Sequence, residues 1–291
     1  MVERMPFIPL PKLRYTLPRH EPWMLTTTGA RKDMSSTREA INYWPQTATA
    51  KAFWGQQELP PYRELLRATL AWADPQVGER WLDLGCGGGG LTKGLWRMSE
   101  GTVAEIVGLD CASANAEVYA QLQARLYPPP GAYVRFVAAD FSKGLPFPDD
   151  EPFDGVVSGL AIQYAESYSA ERACWTSAGY DRLLAEVYRV LRPGGRFVFS
   201  VNVPEPAWWK VALYSIGGAF SASHPLRYLE KSWAMYSYGG WLKREARKGR
   251  FHFLPRQAIA AKLQAAGFVG IAGQRSFAGQ AYVFRAWKPH R

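Results

Sequence analysis

The sequence predicts an α/β protein with a mostly parallel sheet and helices on both of its faces. Between residues 80 and 201, short apolar segments alternate with segments whose apolar residues recur every three or four positions, as in successive βαβ units. A run of glycines follows the first apolar segment and precedes a helical one. Two more short apolar segments, 268–272 and 281–286, close the chain as a hairpin and bring the predicted number of strands to seven.

The glycine-rich turn is the most informative stretch of the chain. The predicted strand Arg80–Leu84 runs into Gly85–Gly90, and a helix is predicted over Gly90–Met98. Glycine tolerates positive φ and lets a ligand approach the backbone, while the unpaired N–H groups at a helix start favour an anionic group. The spacing fits both G-x-G-x-x-G, typical of dinucleotide sites, and G-x-G-x-G. Asp83 decides between them, because a carboxylate there repels a pyrophosphate and can receive an ammonium group.

At Asp83, Gly85, Gly87 and Gly89 the chain resembles the class I S-adenosylmethionine-dependent methyltransferases, whose first motif is D/E-x-G-x-G-x-G. The resemblance covers about residues 36–288, includes the phrase LRPGGRFVFS, and is closest to the ubiquinone/menaquinone C-methyltransferase-like branch that acts on small molecules. It implies a Rossmann-like sheet of seven strands with an antiparallel last strand. It also implies S-adenosylmethionine as cofactor, with its amino-acid end over the glycines and over Cys86 between them.

Acidic residues at the ends of the second and third predicted strands fit the same resemblance. Asp110 lies some twenty residues after the glycines, where Rossmann-like sites place a ribose-binding carboxylate. In the resembled family the residue at Cys111 packs on the adenine, the acid at Asp140 accepts from the adenine amino group, and the backbone N–H of Phe141 contacts the ring. Structural roles stay open, since Asp110 can cap the following helix and Asp140 the following turn.

The fourth predicted strand, 153–158, ends at a further candidate cofactor contact, Ser158. Ligands of open parallel sheets lie beyond the carboxyl ends of the strands, so the loop that follows also belongs to the predicted site. Tyr164 in that loop is a candidate base for deprotonating an acceptor. Members of the resembled family often carry a histidine where this chain has Gln163, and this departure disfavours proton transfer by histidine.

Two segments outside the sheet pattern complete the predicted organisation. Residues 1–35 form a proline-rich arm, and residues 36–291 form a methyltransferase domain with a helical, aromatic and basic lid insertion at 204–253. The lid aromatics would line an apolar or planar acceptor pocket or form the insertion's own core. His224 in the lid is a second candidate base, and equally a turn residue. Tyr43 is a candidate for cation–π contact with the sulfonium, with core packing as the alternative.

The positive charge of the chain is confined to its C-terminal third. The net charge is +10, and residues 205–291 carry 14 Lys/Arg and 3 Asp/Glu, or +11, which leaves −1 for the first 204 residues. Such an asymmetry favours an anionic partner, either nucleic acid or an anionic membrane surface that the protein contacts peripherally. A solvated basic face is the simpler interpretation.

Cysteine and histidine usage predicts neither a disulfide framework nor a metal site. The three cysteines form no C-x-x-C pair, and the four histidines lack metal-ligand spacing. No segment has a signal-peptide pattern or reaches the roughly 18 apolar residues of a membrane span. We therefore expect a cytoplasmic protein, and its oligomeric state stays open.

These features favour methyl transfer from S-adenosylmethionine to a small organic acceptor by in-line displacement. A nucleic-acid methyltransferase is one alternative, but no N-P-P-Y-like motif follows the fourth strand and no RNA-binding module is recognisable. A non-catalytic cofactor-binding protein is another, and the intact Asp83, Asp110 and Asp140 argue against it. An NAD-dependent oxidoreductase is disfavoured by Asp83 and by the terminal hairpin.

Overall fold

A seven-stranded sheet forms the centre of the structure, a computed structural model that describes residues 44, 59–219 and 239–290. The strands are β1 (Arg80–Leu84), β2 (Glu105–Asp110), β3 (Val134–Ala138), β4 (Phe153–Gly159), β5 (Leu191–Asn202), β6 (Val269–Ser276) and β7 (Ala281–Trp287). Their order across the sheet is β3-β2-β1-β4-β5-β7-β6. Strands β1 to β5 are parallel, and β7 is antiparallel to both of its neighbours. The predicted fold class and the antiparallel last strand are confirmed.

Helices cover both faces of this sheet. They are α1 (Pro60–Ala73), α2 (Gly90–Met98), α3 (Asn115–Gln123), α4 (Ala178–Val190), α5 (Trp208–Ala219), α6 (residues 239–247) and α7 (Arg256–Ala265). Side chains that are adjacent in a strand point to opposite faces. Trp81 of β1 therefore packs with α1, α2 and α3, while Leu82 packs with α4 and α7. Because both faces are covered, β1 is buried almost throughout, including the charged Asp83 between its apolar residues.

The fifth strand begins earlier than the sequence predicts. The motif LRPGG indicates a turn at 192–195, yet β5 starts at Leu191, which pairs with Phe153, and the register against β4 then shifts. Gly194 lies in this irregular stretch at φ +75°, and its N–H donates to the carbonyl of Lys288. The Lys288 ammonium in turn donates to the Tyr188 carbonyl at 2.8 Å in the last turn of α4. The C-terminal segment after β7 thus holds the turn against the sheet.

The lid is described only in part. Within the predicted lid, α5 and α6 are helical, and residues 220–238 lie outside the described part of the chain. The arm, Tyr43 and His224 also lie outside it. In the described ranges no helix combines the length and the apolarity that crossing a bilayer requires.

A buried ion pair joins α1, β1 and β5 at the end of the sheet where β1 begins. The Arg196 guanidinium donates to both carboxylate oxygens of Glu79 at 2.9 and 2.7 Å and to the backbone carbonyl of Asp74 at 2.7 Å. It also lies 4.7 Å from the centre of the Trp81 ring. Both charged side chains are more than nine-tenths buried, so neither can exchange its partner for water.

Arg196→Met is expected to lower the free energy of unfolding by about 3–5 kcal/mol, because it leaves the Glu79 carboxylate buried and uncompensated. The double variant Arg196→Met/Glu79→Gln removes that charge and should recover part of the loss. Arg135→Met, which breaks a half-exposed pair with Glu105, is the control and should cost about 1 kcal/mol or less. Urea unfolding measures all three. Equal losses for Arg196→Met and Arg135→Met would contradict the assignment.

Candidate active site

A cavity of about 270 Å³ lies beyond the carboxyl ends of the central strands. One part of its wall comes from the turns after β1, β2 and β3, namely Asp83, Gly85, Cys86, Gly87, Asp110, Cys111, Asp140 and Phe141. The other part comes from α1, the loop after β4, and the lid helices, namely Trp44, Tyr62, Leu65, Leu66, Leu160, Tyr164, Trp208 and Leu242. A polar wall thus meets an apolar, aromatic one in a single cavity.

Asp83 links the end of β1 to the first turn of α2. Its Oδ2 accepts hydrogen bonds from the backbone N–H and the hydroxyl of Thr92, at 2.9 and 2.7 Å. Thr92 lies in the first turn of α2, and the N-cap residue Gly89 has no side chain to offer, so Asp83 satisfies a donor that the helix leaves unpaired. Asp83 Oδ1 accepts no hydrogen bond from the described residues. One oxygen is therefore committed to the fold, and the other is available to a cation in the cavity.

Burial controls the charge of this carboxyl. Asp83 is almost fully buried, and burial raises its pKa from the ordinary 3.8 to about 6. The hydrogen bonds from Thr92 oppose the shift, and the nearby Asp110 adds to it. The Asp83 carboxyl is thus ionised near neutral pH, and its ionisation in this buried position costs the folded protein free energy. An ammonium group in the cavity would remove that cost.

The three glycines of the motif have different roles. A Cβ on Gly85, at φ +72°, would lie 2.2 Å from the Cβ of Ala161, so the turn can pass the loop after β4 only without a side chain. Gly87, at φ +50°, lines the cavity, and a Cβ there would meet nothing within 4 Å. A Cβ on Gly89, at φ +73°, would lie 2.3 Å from Leu122 of α3. Gly89 does not line the cavity, so the motif serves helix packing as well as ligand approach.

Asp110 holds the glycine turn in place. Its Oδ2 accepts the N–H of Gly87 at 3.0 Å and its Oδ1 accepts the N–H of Ala112 at 2.9 Å. The interpretation of Asp110 as the cap of the following helix is wrong, because α3 begins only at Asn115. The side chain of Asn115 donates a third hydrogen bond to this carboxylate. Two oxygens with two lone pairs each can therefore still accept one hydrogen bond from a ligand hydroxyl. Burial raises the pKa of this group as well.

The two cysteines of the site contribute as protonated, weakly polar side chains. Burial raises the pKa of Cys111 to about 12, and it raises the pKa of Cys86 well above its ordinary value. The nearby carboxylates act in the same direction. A thiol that stays protonated is a poor nucleophile, so both cysteines form part of the wall rather than a reactive centre.

Asp140 caps the turn that follows β3, as one of the two interpretations of the sequence predicts. Its Oδ1 accepts from the backbone N–H and the hydroxyl of Ser142, at 3.0 and 2.6 Å, across the short helical turn Phe141–Lys143. Asp140 and Phe141 also line the cavity. The cap fixes where both residues sit and leaves them beside the polar wall.

Ser158 does not line the cavity. It is fully buried in β4, and its hydroxyl donates to the backbone carbonyl of Leu84 at 2.7 Å, which ties the end of β4 to the end of β1. The small polar side chain is used because a hydroxyl can satisfy a carbonyl that the sheet leaves unpaired just before the glycine turn. The cavity wall at this strand is made instead by Gly159 and Leu160.

Tyr164 lies in the aromatic wall of the cavity. Its ring centre is 4.3 Å from that of Trp44 and 4.9 Å from that of Phe251. Burial raises its pKa above the ordinary value for tyrosine, so the hydroxyl stays protonated at neutral pH. This disfavours Tyr164 as a base and leaves it as a hydrogen-bond donor.

Sequence reasoning missed several residues of the aromatic wall, above all Tyr62 in α1 and Trp208 in α5. Burial, together with the neighbouring Tyr164, raises the pKa of Tyr62, so a second neutral phenol lies in the same wall. Both missed residues lie on apolar faces of helices. Apolar residues that recur every three or four positions predict such a face, but they do not distinguish a core contact from a cavity contact. The richness of the lid in tryptophan was the one available signal.

The donor set of the polar wall fits S-adenosylmethionine. Asp83 offers an ionised, uncommitted oxygen to an ammonium group, Gly87 leaves an edge without side chain, and Asp110 offers a lone pair to a hydroxyl group. The three carboxylates at the ends of β1, β2 and β3, those of Asp83, Asp110 and Asp140, all line one cavity. Among the described residues no cluster of three or more metal-ligating side chains occurs.

Comparison with known proteins agrees with this fit. A family profile described as a methyltransferase domain matches residues 82–199. The chain is 28% identical over 190 residues to the demethylmenaquinone methyltransferase of Symbiobacterium thermophilum, and 33% identical over 165 residues to that of Thermus thermophilus. These matches cover 60% and 53% of this chain and 68% and 66% of the relatives.

The matched domain and the named relatives support a class I S-adenosylmethionine-dependent methyltransferase. S-adenosylmethionine is its cofactor. The fold agrees with that of the N-methyltransferase NodS from Bradyrhizobium japonicum, solved with S-adenosylhomocysteine, at a TM-score of 0.51 and 15% identity; the match covers 81% of this chain and 91% of that one. At so low an identity the likeness concerns the fold alone.

Asp83→Asn is expected to raise the free energy of unfolding of this methyltransferase at neutral pH in the absence of cofactor. Because the pKa of Asp83 is raised on folding, ionisation costs the folded state free energy. That cost is small below about pH 4 and reaches about 3 kcal/mol by about pH 7.5. The amide removes the charge and keeps an acceptor for Thr92.

Urea unfolding of both proteins at about pH 4 and about pH 7.5 measures the difference. The advantage of the variant should grow with pH. An advantage equal at both pH values would assign the effect to packing, and a disadvantage at the higher pH would contradict the raised pKa.

Proposed function

We propose that this protein transfers the methyl group of S-adenosylmethionine to a small, apolar and planar acceptor that carries an oxygen substituent. The observation that carries the proposal is the composition of the cavity described above. Its polar wall fits the cofactor, and its remaining wall is mostly aromatic and aliphatic, with two neutral phenols, Tyr62 and Tyr164. A few other polar residues also line it, namely Thr69, Glu166, Ser200 and Asn202. An apolar wall with few polar groups is typical of a site for an apolar organic molecule.

The polar wall would hold the cofactor by its three chemically distinct ends. Asp83 would receive the ammonium group, Asp110 a ribose hydroxyl, and Asp140 with the Phe141 backbone the adenine. Gly85 and Gly87 would let the amino-acid end approach the backbone. When bound, the cofactor supplies a methyl group on a sulfonium, which is electrophilic without further activation.

The protein itself would contribute to the reaction by orienting the acceptor and by excluding water from the cavity. Leu65, Leu160 and Trp208 exclude water from the side of the cavity that would hold the acceptor, and exclusion of water strengthens polar contacts inside it. The hydroxyls of Tyr62 and Tyr164 would donate hydrogen bonds to the acceptor oxygen. Donors placed in a dry cavity stabilise negative charge on that oxygen and orient the ring beside it.

The acceptor class is inferred from the cavity together with the relatives. Both relatives are named demethylmenaquinone methyltransferases, which implies a fused aromatic ring with oxygen substituents as their acceptor. Such a ring is flat and largely apolar, and it presents oxygens that phenol donors can bind. We therefore place a hydroxylated aromatic or quinol-like compound first among candidate acceptors.

A nucleic-acid acceptor is less well supported, because much of the basic run at the end of the lid is paired with acidic residues of the protein. Arg250 is buried and pairs with Glu166 at 2.9 Å, Lys248 pairs with Glu245 at 2.7 Å, and Glu205 pairs with both Lys243 and Arg247. The arginine and lysine residues that remain exposed lie outside the aromatic wall. They suit a surface contact better than a base held in the cavity.

A transfer assay with methyl-labelled cofactor tests the proposal. The acceptor panel contains a demethylated naphthoquinol, a monohydroxylated benzoquinol, a long-chain fatty acid and mixed RNA. Label should appear in the organic phase with the quinols. Label in RNA alone, or label in none of the four with bound cofactor confirmed by calorimetry, would overturn the assigned acceptor class.

Asp83→Asn is expected to weaken the binding of S-adenosylmethionine by about 10–100-fold, because a charged hydrogen bond to the ammonium group becomes a neutral one. Methylthioadenosine, which lacks the amino-acid end, is the matched ligand and should bind both proteins equally. Calorimetry measures both affinities. An equal loss for both ligands would indicate a general distortion of the turn and not the predicted ammonium contact.

Tyr164→Phe is expected to lower kcat/KM for a quinol acceptor by about 10–100-fold, because it removes one of two donors to the acceptor oxygen. The affinity for S-adenosylmethionine should not change, since Asp83 and the glycine turn are untouched. Tyr62→Phe should behave in the same way. Tyr127→Phe, on an exposed tyrosine away from the cavity, is the control. Unchanged kcat/KM in both cavity variants would remove the phenols from the mechanism.

A further inference from the structure

The lid helix α5 is apolar on two opposite sides. Its inner side carries Trp208 and Val211, which are 9% and 1% exposed and belong to the core against α1 and α2. Its outer side carries Trp209, Leu213 and Tyr214, which are 56%, 60% and 58% exposed. A helix on the surface of a globular protein normally has polar residues on the outer side. Three large apolar side chains in that place indicate a surface that contacts something other than water.

The outer residues form one continuous face. Residues 209 and 213, 210 and 214, and 210 and 213 are four, four and three positions apart, which places all four on one side of a helix of 3.6 residues per turn. Lys210 is the one charged residue among them, and its ammonium lies 5.6 Å from the centre of the Trp209 ring. Tryptophan, tyrosine and lysine around a leucine are the combination that helices use at the boundary between acyl chains and headgroups.

Cations continue this face onto α6. The two helices are neighbours, since a Cβ on Gly239 would lie 2.6 Å from the Trp208 ring and Glu205 pairs with Arg247 of α6 at 3.1 Å. Three further basic residues of this region are exposed, namely Arg244, Arg247 and Lys248. Within the described part of the chain, Lys210 and Arg244 form no ion pair.

Few acids oppose these cations. Glu205 is exposed, and it is already paired with Lys243 and Arg247, while Glu245 is buried beside Lys248. Exposed pairs of this kind contribute little and can be exchanged for a stronger anionic partner. The charge of +11 from residue 205 onward agrees with the local excess.

We propose that the outer face of α5 inserts at the surface of an anionic bilayer, with the α6 cations bound to its phosphate headgroups. Apolar area alone gives weak, reversible membrane binding, and basic residues beside it add attraction to anionic lipid. Both contributions lie on neighbouring helices here. The proposal goes beyond the methyl transfer proposed above and does not depend on the acceptor.

Docking by this face would bring the cavity next to the membrane surface. Trp208 on the inner side of α5 and Leu242 of α6 line the cavity, while Trp209 and Arg244 lie on the outer sides of the same helices. The aromatic wall and the proposed bilayer contact therefore lie on opposite sides of the same two helices. An acceptor dissolved in the bilayer would have a short path to this wall.

Sedimentation with vesicles tests the proposal on the full chain without cofactor. One set of vesicles is phosphatidylcholine, and the other contains phosphatidylcholine with about one third phosphatidylglycerol. The protein should bind the anionic vesicles at least about tenfold more tightly, and added salt should weaken this binding. Trp209→Ser/Leu213→Ser removes the apolar contacts, and Lys210→Glu/Arg244→Glu reverses two charges. Each double variant should lose at least about tenfold in affinity.

The control is Val77→Ser/Tyr127→Ser, which removes two other exposed apolar side chains and should bind like the wild type. Far-UV circular dichroism confirms that all variants are folded. Absence of binding to anionic vesicles would overturn the proposal, as would equal binding by all variants. A change of oligomeric state in Trp209→Ser/Leu213→Ser, without a change in vesicle binding, would assign the face to a second copy of the chain. Methyl transfer is not measured, so these outcomes are independent of the proposed reaction.

Discussion

The hydrogen bonds between Asp83 and Thr92 are the contact on which the site depends. They join the end of β1 to the first turn of α2, and in doing so they set the path of the glycine turn between them. The same carboxyl that completes the helix start leaves one oxygen to the cavity. The same buried carboxylate of Asp83 therefore serves both the fold and ligand binding. Its burial in the charged form destabilises the folded protein, and a bound cation would reduce this destabilisation.

Burial also decides what the other titratable groups of the cavity can do. It raises the pKa of both cysteines and of both tyrosines, so all four side chains stay protonated at neutral pH. The cavity therefore combines ionised carboxylates on one wall with neutral donors and apolar groups on the other. A reaction in which the methyl group is already electrophilic needs little more than this, because the protein has to orient two molecules and exclude water. Proteins with this fold perform different reactions, so the reaction is set by the cavity and not by the sheet.

The lid takes part in both of our proposals, methyl transfer and membrane contact. Its inner side supplies Trp208 and Leu242 to the cavity, and its outer side presents Trp209 and Leu213 to the surroundings. The outer residues of this helix expose apolar area to water. Contact with another apolar phase, which in our proposal is a bilayer, would bury that area and stabilise the face.

The sequence by itself determined the sheet, the glycine turn and the three acidic strand ends, because these depend on local patterns of apolar residues, glycine and carboxylate. It could not distinguish ligand contacts from packing. Gly89 matches the glycine motif and Ser158 ends the fourth predicted strand, yet Gly89 serves helix packing and Ser158 binds a carbonyl of β1. Only the tertiary structure decided which aromatic side chains enclose the cavity. Tyr62 and Trp208 come from segments far apart in the chain, and their meeting in one wall depends on helix packing that no local pattern encodes.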